Sequence, residues 1–262
     1  MLSLAGPVFP DSLEIFLSSL RGGFTGRGIS VRDIRADGEW PRLAELVIDL
    51  SGAKLSRATR QARADSEPQP GVSIAQLTVT ATPLHFEKTP LRFDLRAQDA
   101  ECGFALDSAR EPVLQLTLAG GGSIVLEAQR ADLEATLKTL ATEALAKQGA
   151  DVKSARLELT DRGPRSLGFR AEVTAKAFLM TARVAVTGNL DVDDQLNLRV
   201  RDLATSGDGM IASLAGGFLR PRFAEIEKRA IPLAAFSFAD VKLHSVRISG
   251  GEALRIEAQF GG

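Results

Sequence analysis

Hydrophobic and polar positions along this chain repeat with two periods, and the period of two dominates. From Asp11 to Arg21 the repeat is helical: Leu13, Phe16, Leu17 and Leu20 share a face, Asp11 stands where a cap belongs, and Gly22-Gly23 follow as a stop. From Ile29 the repeat changes. Ile29, Val31 and Ile34 lead to Trp40-Pro41, after which Ala44, Leu46, Ile48 and Leu50 alternate with Glu45, Val47 and Asp49, the pattern of a half-buried strand. Val72 to Thr82 is a strand closed by Pro83, and Leu91 to Ala97 sets Leu91, Phe93 and Leu95 against Arg92, Asp94 and Arg96. Val113 to Leu118 runs through Gly120-Gly121-Gly122 into Ile124 to Ala128, which predicts a hairpin.

The clearest helix is predicted over Asp132 to Gln148, where Leu133, Leu137, Leu140, Ala144 and Leu145 form a stripe and Gly149 lies just past the end. Strands resume at Ala155 to Thr160 and Leu167 to Ala177. Met180 to Leu190 and Leu196 to Val200 follow, joined through Asp191-Val192-Asp193-Asp194. A second long helical region, from Asp208 to about Arg229, carries Met210, Ile211, Leu214, Phe218, Phe223 and Ile226; Pro221 lacks the amide hydrogen that continues a helix and predicts a kink there. Val241 to Ile248 and Ala253 to Phe260 are the last strands, turning at Gly250-Gly251. Strands that succeed one another across short Gly or Pro turns pair antiparallel, because a parallel crossover needs about a dozen residues or more.

The class these elements predict is α+β, and one domain over residues 1–262 accounts for them. Only Arg57 to Pro70 (RATRQARADSEPQP) is poor in apolar residues. Both of its flanks carry the same strand pattern, so it reads as a mobile surface loop in preference to a domain linker.

Composition then removes several functions. With 262 residues, 44% hydrophobic and 25% charged, the chain has material for a sizeable core. Its 32 basic and 33 acidic side chains leave a net charge of −1, so no nucleic-acid partner is expected; peripheral contact with acidic headgroups through a local patch stays open. A single cysteine, Cys102, rules out an internal disulfide. No apolar run approaches the roughly 20 residues that span a bilayer. Met1-Leu-Ser-Leu-Ala-Gly-Pro lacks the basic and apolar regions of an export signal. The expected location is therefore the cytoplasm, peripheral to membrane at most, or the periplasm if a signal has been removed.

Reactive chemistry is scarce. His85 and His244 stand far apart, neither in HExxH, and Cys102 has no CxxC partner, so no metal site, cofactor or catalytic residue is assigned. No GxSxG elbow occurs, and Gly120 to Ser123 lacks the GK[ST] of a phosphate loop. Asp191, Asp193 and Asp194 are too few for a calcium loop and read as a solvated turn. Arg220, Arg222, Lys228 and Arg229 cluster near Phe218 and Phe223; they could steer an opening towards acidic lipid, but Glu225 and Glu227 interrupt them and a solvated helix face is the simpler reading.

One strand face bears on function. Phe169, Ala171, Val173, Ala175 and Ala177 form a mostly small apolar row, and the next strand offers Ala182, Val184 and Val186. Small inward side chains either leave volume beneath a helix or let the helix pack tightly, and the row alone does not choose between these.

Four segments carry a resemblance: Ile29-Ser-Val-Arg-Asp-Ile with the strand Leu43 to Leu50; Ala128-Gln-Arg-Ala-Asp-Leu-Glu-Ala-Thr-Leu; the strand pair ending Val184-Ala-Val-Thr-Gly-Asn-Leu-Asp-Val-Asp; and Ile231-Pro-Leu-Ala-Ala-Phe followed by Val241 to Ala258. Together they resemble the bacterial LmeA-like phospholipid-binding family (DUF2993), related to the tubular lipid-binding (TULIP) proteins, although the family's Pro-Gly pair is missing between Ala234 and Val241. The resemblance implies a highly curved antiparallel sheet wrapped around long amphipathic helices, with a phospholipid or other acyl-chain lipid held in an apolar groove between them and no catalysis. On that reading Leu133, Leu137, Leu140, Ala171, Val173, Ala175, Val184, Val186, Met210, Ile211, Leu214 and Phe218 line the groove. The alternative is a protein-interaction or scaffold module with a solid core.

Overall fold

The computed structural model describes residues 2–6, 9–55, 64–146, 150–177, 180–207, 223–232 and 243–261, most of them in β-sheet. In chain order come β1 (Leu2–Ser3), α1 (Leu13–Gly26), β2 (Asp33–Glu39), β3 (Arg42–Asp49), β4 (Lys54–Leu55), β5 (Gln69–Phe86), β6 (Thr89–Leu106) and β7 (Pro112–Gln129). Then follow α2 (Arg130–Ala146), β8 (Ala150–Gly163), β9 (Ser166–Ala177), β10 (Met180–Val192) and β11 (Asn197–Gly207). A short helix covers 223–228, and β12 (Ala230–Pro232), β13 (Leu243–Ser249) and β14 (Ala253–Phe260) complete the described elements.

The chain divides into two compact units: Met1–Glu127 with Phe236–Ser245 and Glu257–Gly262, and Ala128–Ala235 with Val246–Ile256. One sheet has the strand order β13-β14-β7-β6-β5-β3-β2, with β1 against β7 and β4 against β5; the other runs β12-β11-β10-β9-β8. Among the described residues neither order closes into a barrel.

The first unit has a filled core. Phe16 and Leu20 of α1 are fully buried with Leu46, Ile48, Val72 and Ile74 of the sheet. Trp40 joins Phe16 and Phe104 at ring-centroid distances of 5.2 and 6.4 Å. Helix α1 outruns its sequence reading. Ser12, not Asp11, caps it, accepting a bond from the Ile15 amide, and Gly22-Gly23 lie inside it. Those glycines serve close approach: a Cβ on Gly23 would run into the carbonyl of Ser3, and the Ala5 amide donates to Ser19 O at 2.8 Å.

Several strand expectations are corrected. Ile29 and Val31 precede β2 and pack against the core without joining a strand. A register shift beside Gly38 turns Leu43 inward and leaves Ala44 exposed. The Gly120-Gly121-Gly122 run is no hairpin: β7 passes through it unbroken. A Cβ on Gly122 would strike the Phe260 ring and the Arg96 carbonyl, so this glycine admits a neighbour where a turn glycine admits a reversal. Likewise β5 continues past Pro83, which sits in a register shift between Ala81 and Leu84. Pairing is not wholly antiparallel either. β3 and β5 run parallel, Leu46 opposite Leu77, because residues 50–68 are long enough for the crossover. Of the expected loop Arg57 to Pro70, residues 57–63 lie outside the described residues, and its last two residues belong to β5.

In the second unit the hairpins β8–β9, β9–β10 and β10–β11 are all antiparallel, as the short turns require. Helix α2 lies along β8, the edge strand, and Glu134 Oε1 accepts the Leu157 amide at 2.9 Å. That bond occupies a backbone donor that an edge strand otherwise leaves open.

Candidate functional site

Directly paired residues of neighbouring antiparallel strands present their side chains on the same face. The register of the second sheet therefore builds three apolar rungs: Val152, Ala175 and Ala182; Ala155, Val173 and Val184; Leu157, Ala171 and Val186. Val152 and Ala182 are buried. Ala171, Val173, Ala175, Val184 and Val186 are only half-buried, as are Ala155 and Leu157. Contiguous apolar surface of this kind is unusual on a closed core.

The helix residues of the expected groove behave differently from a packed stripe. Leu133 and Leu137 are half-buried, Leu140 is 53% exposed, and no residue of α2 is buried. The opposite side of α2 carries Ala131, Ala135, Thr139 and Thr142, so its two faces contrast little and nothing forces the leucines inward. Long amphipathic helices enclosed by sheet are thus not what the described residues present. Met210, Ile211, Leu214 and Phe218, with Arg220, Pro221 and Arg222, lie outside the described residues. Phe223 is buried, while Ile226, Lys228 and Arg229 are exposed.

The other face of the same sheet is polar. Glu158, Arg170 and Thr187 form one rung, and Thr160, Gly168 and Asn189 the next. Between them lies a depression of about 310 Å³, walled also by Arg162 and Asp202. Arg162 reaches it by lying across Gly168, where a Cβ would come within 2.7 Å of its Nε. Asp202 reaches it through a register shift between Thr187 and Asn189, holding φ at 55°. Asn189 is 8% exposed; its Nδ2 donates to Asp202 Oδ2 at 2.7 Å, and its Oδ1 has no hydrogen-bond partner among the described residues. Sequence reasoning missed this cluster. Gly168 and Gly188 inside strands were the available signal, since glycine there marks a bulge or a close approach.

The remaining candidates are quieter. His85 is half-buried in β5 opposite Pro90, and His244 is exposed in β13. Burial pushes the Cys102 thiol up to about 12, which leaves no thiolate for nucleophilic chemistry at neutral pH. Among the described residues no group of three His, Cys, Asp or Glu could hold a metal ion. Asp193 is more than a solvated turn residue: its carboxylate accepts the amides of Asn197 and Gln195 at 2.8 and 3.0 Å and Arg199 Nε at 3.1 Å. These donors, the Asn197 amide foremost, lower its carboxyl to about 2. In the first unit, a broader hollow beside Arg42, Ala75 and Asp99 has its Ser73 hydroxyl donating to Glu101 at 2.7 Å.

No described helix is long and apolar enough to cross a membrane. The class these observations define is an α+β protein of mainly antiparallel sheet, with an apolar and a polar face on its second sheet. Compared with protein-family models, curated proteins and solved structures, the chain matches none.

Proposed function

We propose that this protein binds a phospholipid or another acyl-chain lipid without catalysis, the acyl chain lying along the Ala171, Val173, Ala175, Val184 and Val186 face of the second sheet. The observation that carries the reading is that these side chains are small, share one face in register, and remain half-buried. The four-segment resemblance to phospholipid-binding proteins supports it. Magnitudes then require a second wall. Complete burial of ten methylenes gains about 8 kcal/mol, whereas an open face that covers one side of the chain gains roughly half, a millimolar interaction before ordering costs. The half-buried Leu133 and Leu137 and the exposed Leu140 of α2 are apolar surface that a bound chain can use for the other side. A curved, TULIP-like wrap is the arrangement that would bring both walls to one ligand.

The test is native mass spectrometry and lipid extraction of the purified protein, followed by uptake of a fluorescent phospholipid. Lipid should copurify. Ala171→Phe, which adds bulk to a half-buried row and leaves the buried positions alone, should lower uptake several-fold with little change in melting temperature. A protein that is consistently empty and takes up no fluorescent lipid overturns the reading. The filled core around Phe16, Leu20 and Leu46 favours a scaffold role for the first unit, so the lipid proposal is confined to the second.

A further inference from the structure

The depression on the polar face of the second sheet is unaccounted for by lipid binding, because it lies on the side opposite the apolar rungs. Its floor contains a buried acceptor, Asn189 Oδ1, to which nothing among the described residues is bonded. A buried polar atom left unpaired costs about 1–3 kcal/mol, and native proteins rarely leave one without a ligand, water or mechanism to answer it. The amide is not free to turn its nitrogen inward at no cost, since Nδ2 already serves Asp202.

The surrounding groups indicate what answers it. Glu158 and Arg162 make no ion pair among the described residues, and the Thr160 and Thr187 hydroxyls likewise have no partner there. Arg170 is paired with Glu172 at 3.4 Å. Formal charges nearly cancel around the depression: Arg162 and Arg170 are opposed by Glu158, Asp202 and the neighbouring Glu172. An anion finds no net positive field here, and a cation little negative one. What the site offers is a fixed alternation of acceptors and donors on planar carboxylate, amide and guanidinium groups. A buried acceptor calls for a hydroxyl or an ammonium to donate to it, and adjacent ligand hydroxyls can donate to Glu158 while accepting from Arg162. The volume of about 310 Å³ stands at the small end of ligand sites.

We propose that this depression, through Asn189, Glu158, Arg162 and Thr187, binds a neutral polyhydroxylated ring, a sugar or polyol, with one hydroxyl donating to Asn189 Oδ1. Arg162 lies over Gly168 from the exposed side, so its movement admits the ring. The same chemistry is presented by a free sugar and by a glycolipid headgroup.

The experiment is amide NMR on the full chain, titrated with methyl glucoside, methyl galactoside, methyl mannoside and myo-inositol, and separately with inorganic phosphate. Parallel flotation uses phosphatidylcholine vesicles with and without a monoglycosyl diacylglycerol. Saturable shifts at residues 158–170 and 187–189 with any glycoside or polyol support the proposal for a free ligand. Binding only to the glycolipid vesicles, lost in the variants below, supports it for a headgroup. Arg162→Ala and Glu158→Gln, both at exposed positions, should each weaken binding about tenfold or more, the loss of one charge-assisted bond, while far-UV circular dichroism stays that of the parent. No response to any polyol or glycolipid, an unaltered affinity in both variants, or stronger shifts with phosphate than with the polyols overturns it.

Discussion

Asp193 shows how much one side chain organises here. It closes the β10–β11 turn by collecting backbone and side-chain donors, so its charge is worth more folded than unfolded. Its folded value, about 2, lies below the ordinary 3.8. The contribution is therefore complete above the unfolded value and is lost as pH falls from about 4 through 2. Asp193→Ala should lower the melting temperature by a few degrees at pH 7, and the gap between variant and parent should close at pH 2. Thermal melts at the two pH values check this; a gap that persists in acid would mean the turn is held by something other than the carboxylate. The residue could be seen in the sequence as a turn acid. Its role could not, because the donors include Arg199, placed only by the pairing of β11 with β10.

At the level of strands and helices, Glu134 is the contact most open to trial. It ties α2 to the edge of the second sheet by accepting the Leu157 amide. Glu134→Ala should cost about 1–2 kcal/mol in urea denaturation, and Glu134→Gln, which keeps an acceptor, much less. Exposing that edge should also raise self-association, measurable by light scattering; identical behaviour of Ala and parent would show that α2 does not guard β8. This is also where sequence reading succeeded and failed for identifiable reasons. The rungs of β9 and β10 were readable because a period of two and a short turn fix both face and register. The glycine run of β7 was misread because turn glycines and close-approach glycines look alike locally, and the residue that distinguishes them, Phe260, is remote in sequence. Leu43 and Ala44 exchanged faces because of one bulge at Gly38. The parallel pairing of β3 with β5 depends on a crossover that carries no pattern of its own. The polar depression gathers residues from β8, β9, β10 and β11, and one of them, Asp202, arrives through a register slip that periodicity cannot display.

Taken whole, the chain combines two units of unlike interior. In the first, large side chains such as Phe16, Leu20, Leu46 and Ile48 are fully enclosed. In the second, most apolar side chains of the central strands stay half-buried. Local opening is easiest where few apolar groups are enclosed. Hydrogen exchange should therefore be faster for amides of β9 and β10 than for those of β5 and β6, and a bound acyl lipid should slow the former selectively. Equal protection of both sets without lipid would contradict the contrast in packing.

The N-terminal segment has a last implication. Leu2 pairs with Leu114, and the Leu4 amide donates to Pro112 O at 2.9 Å, while the same stretch seats against the glycines of α1. A ribosome must therefore release the strand around Leu114 before Leu2 to Leu4 find their place, and until then the first helix waits with one flank unsealed.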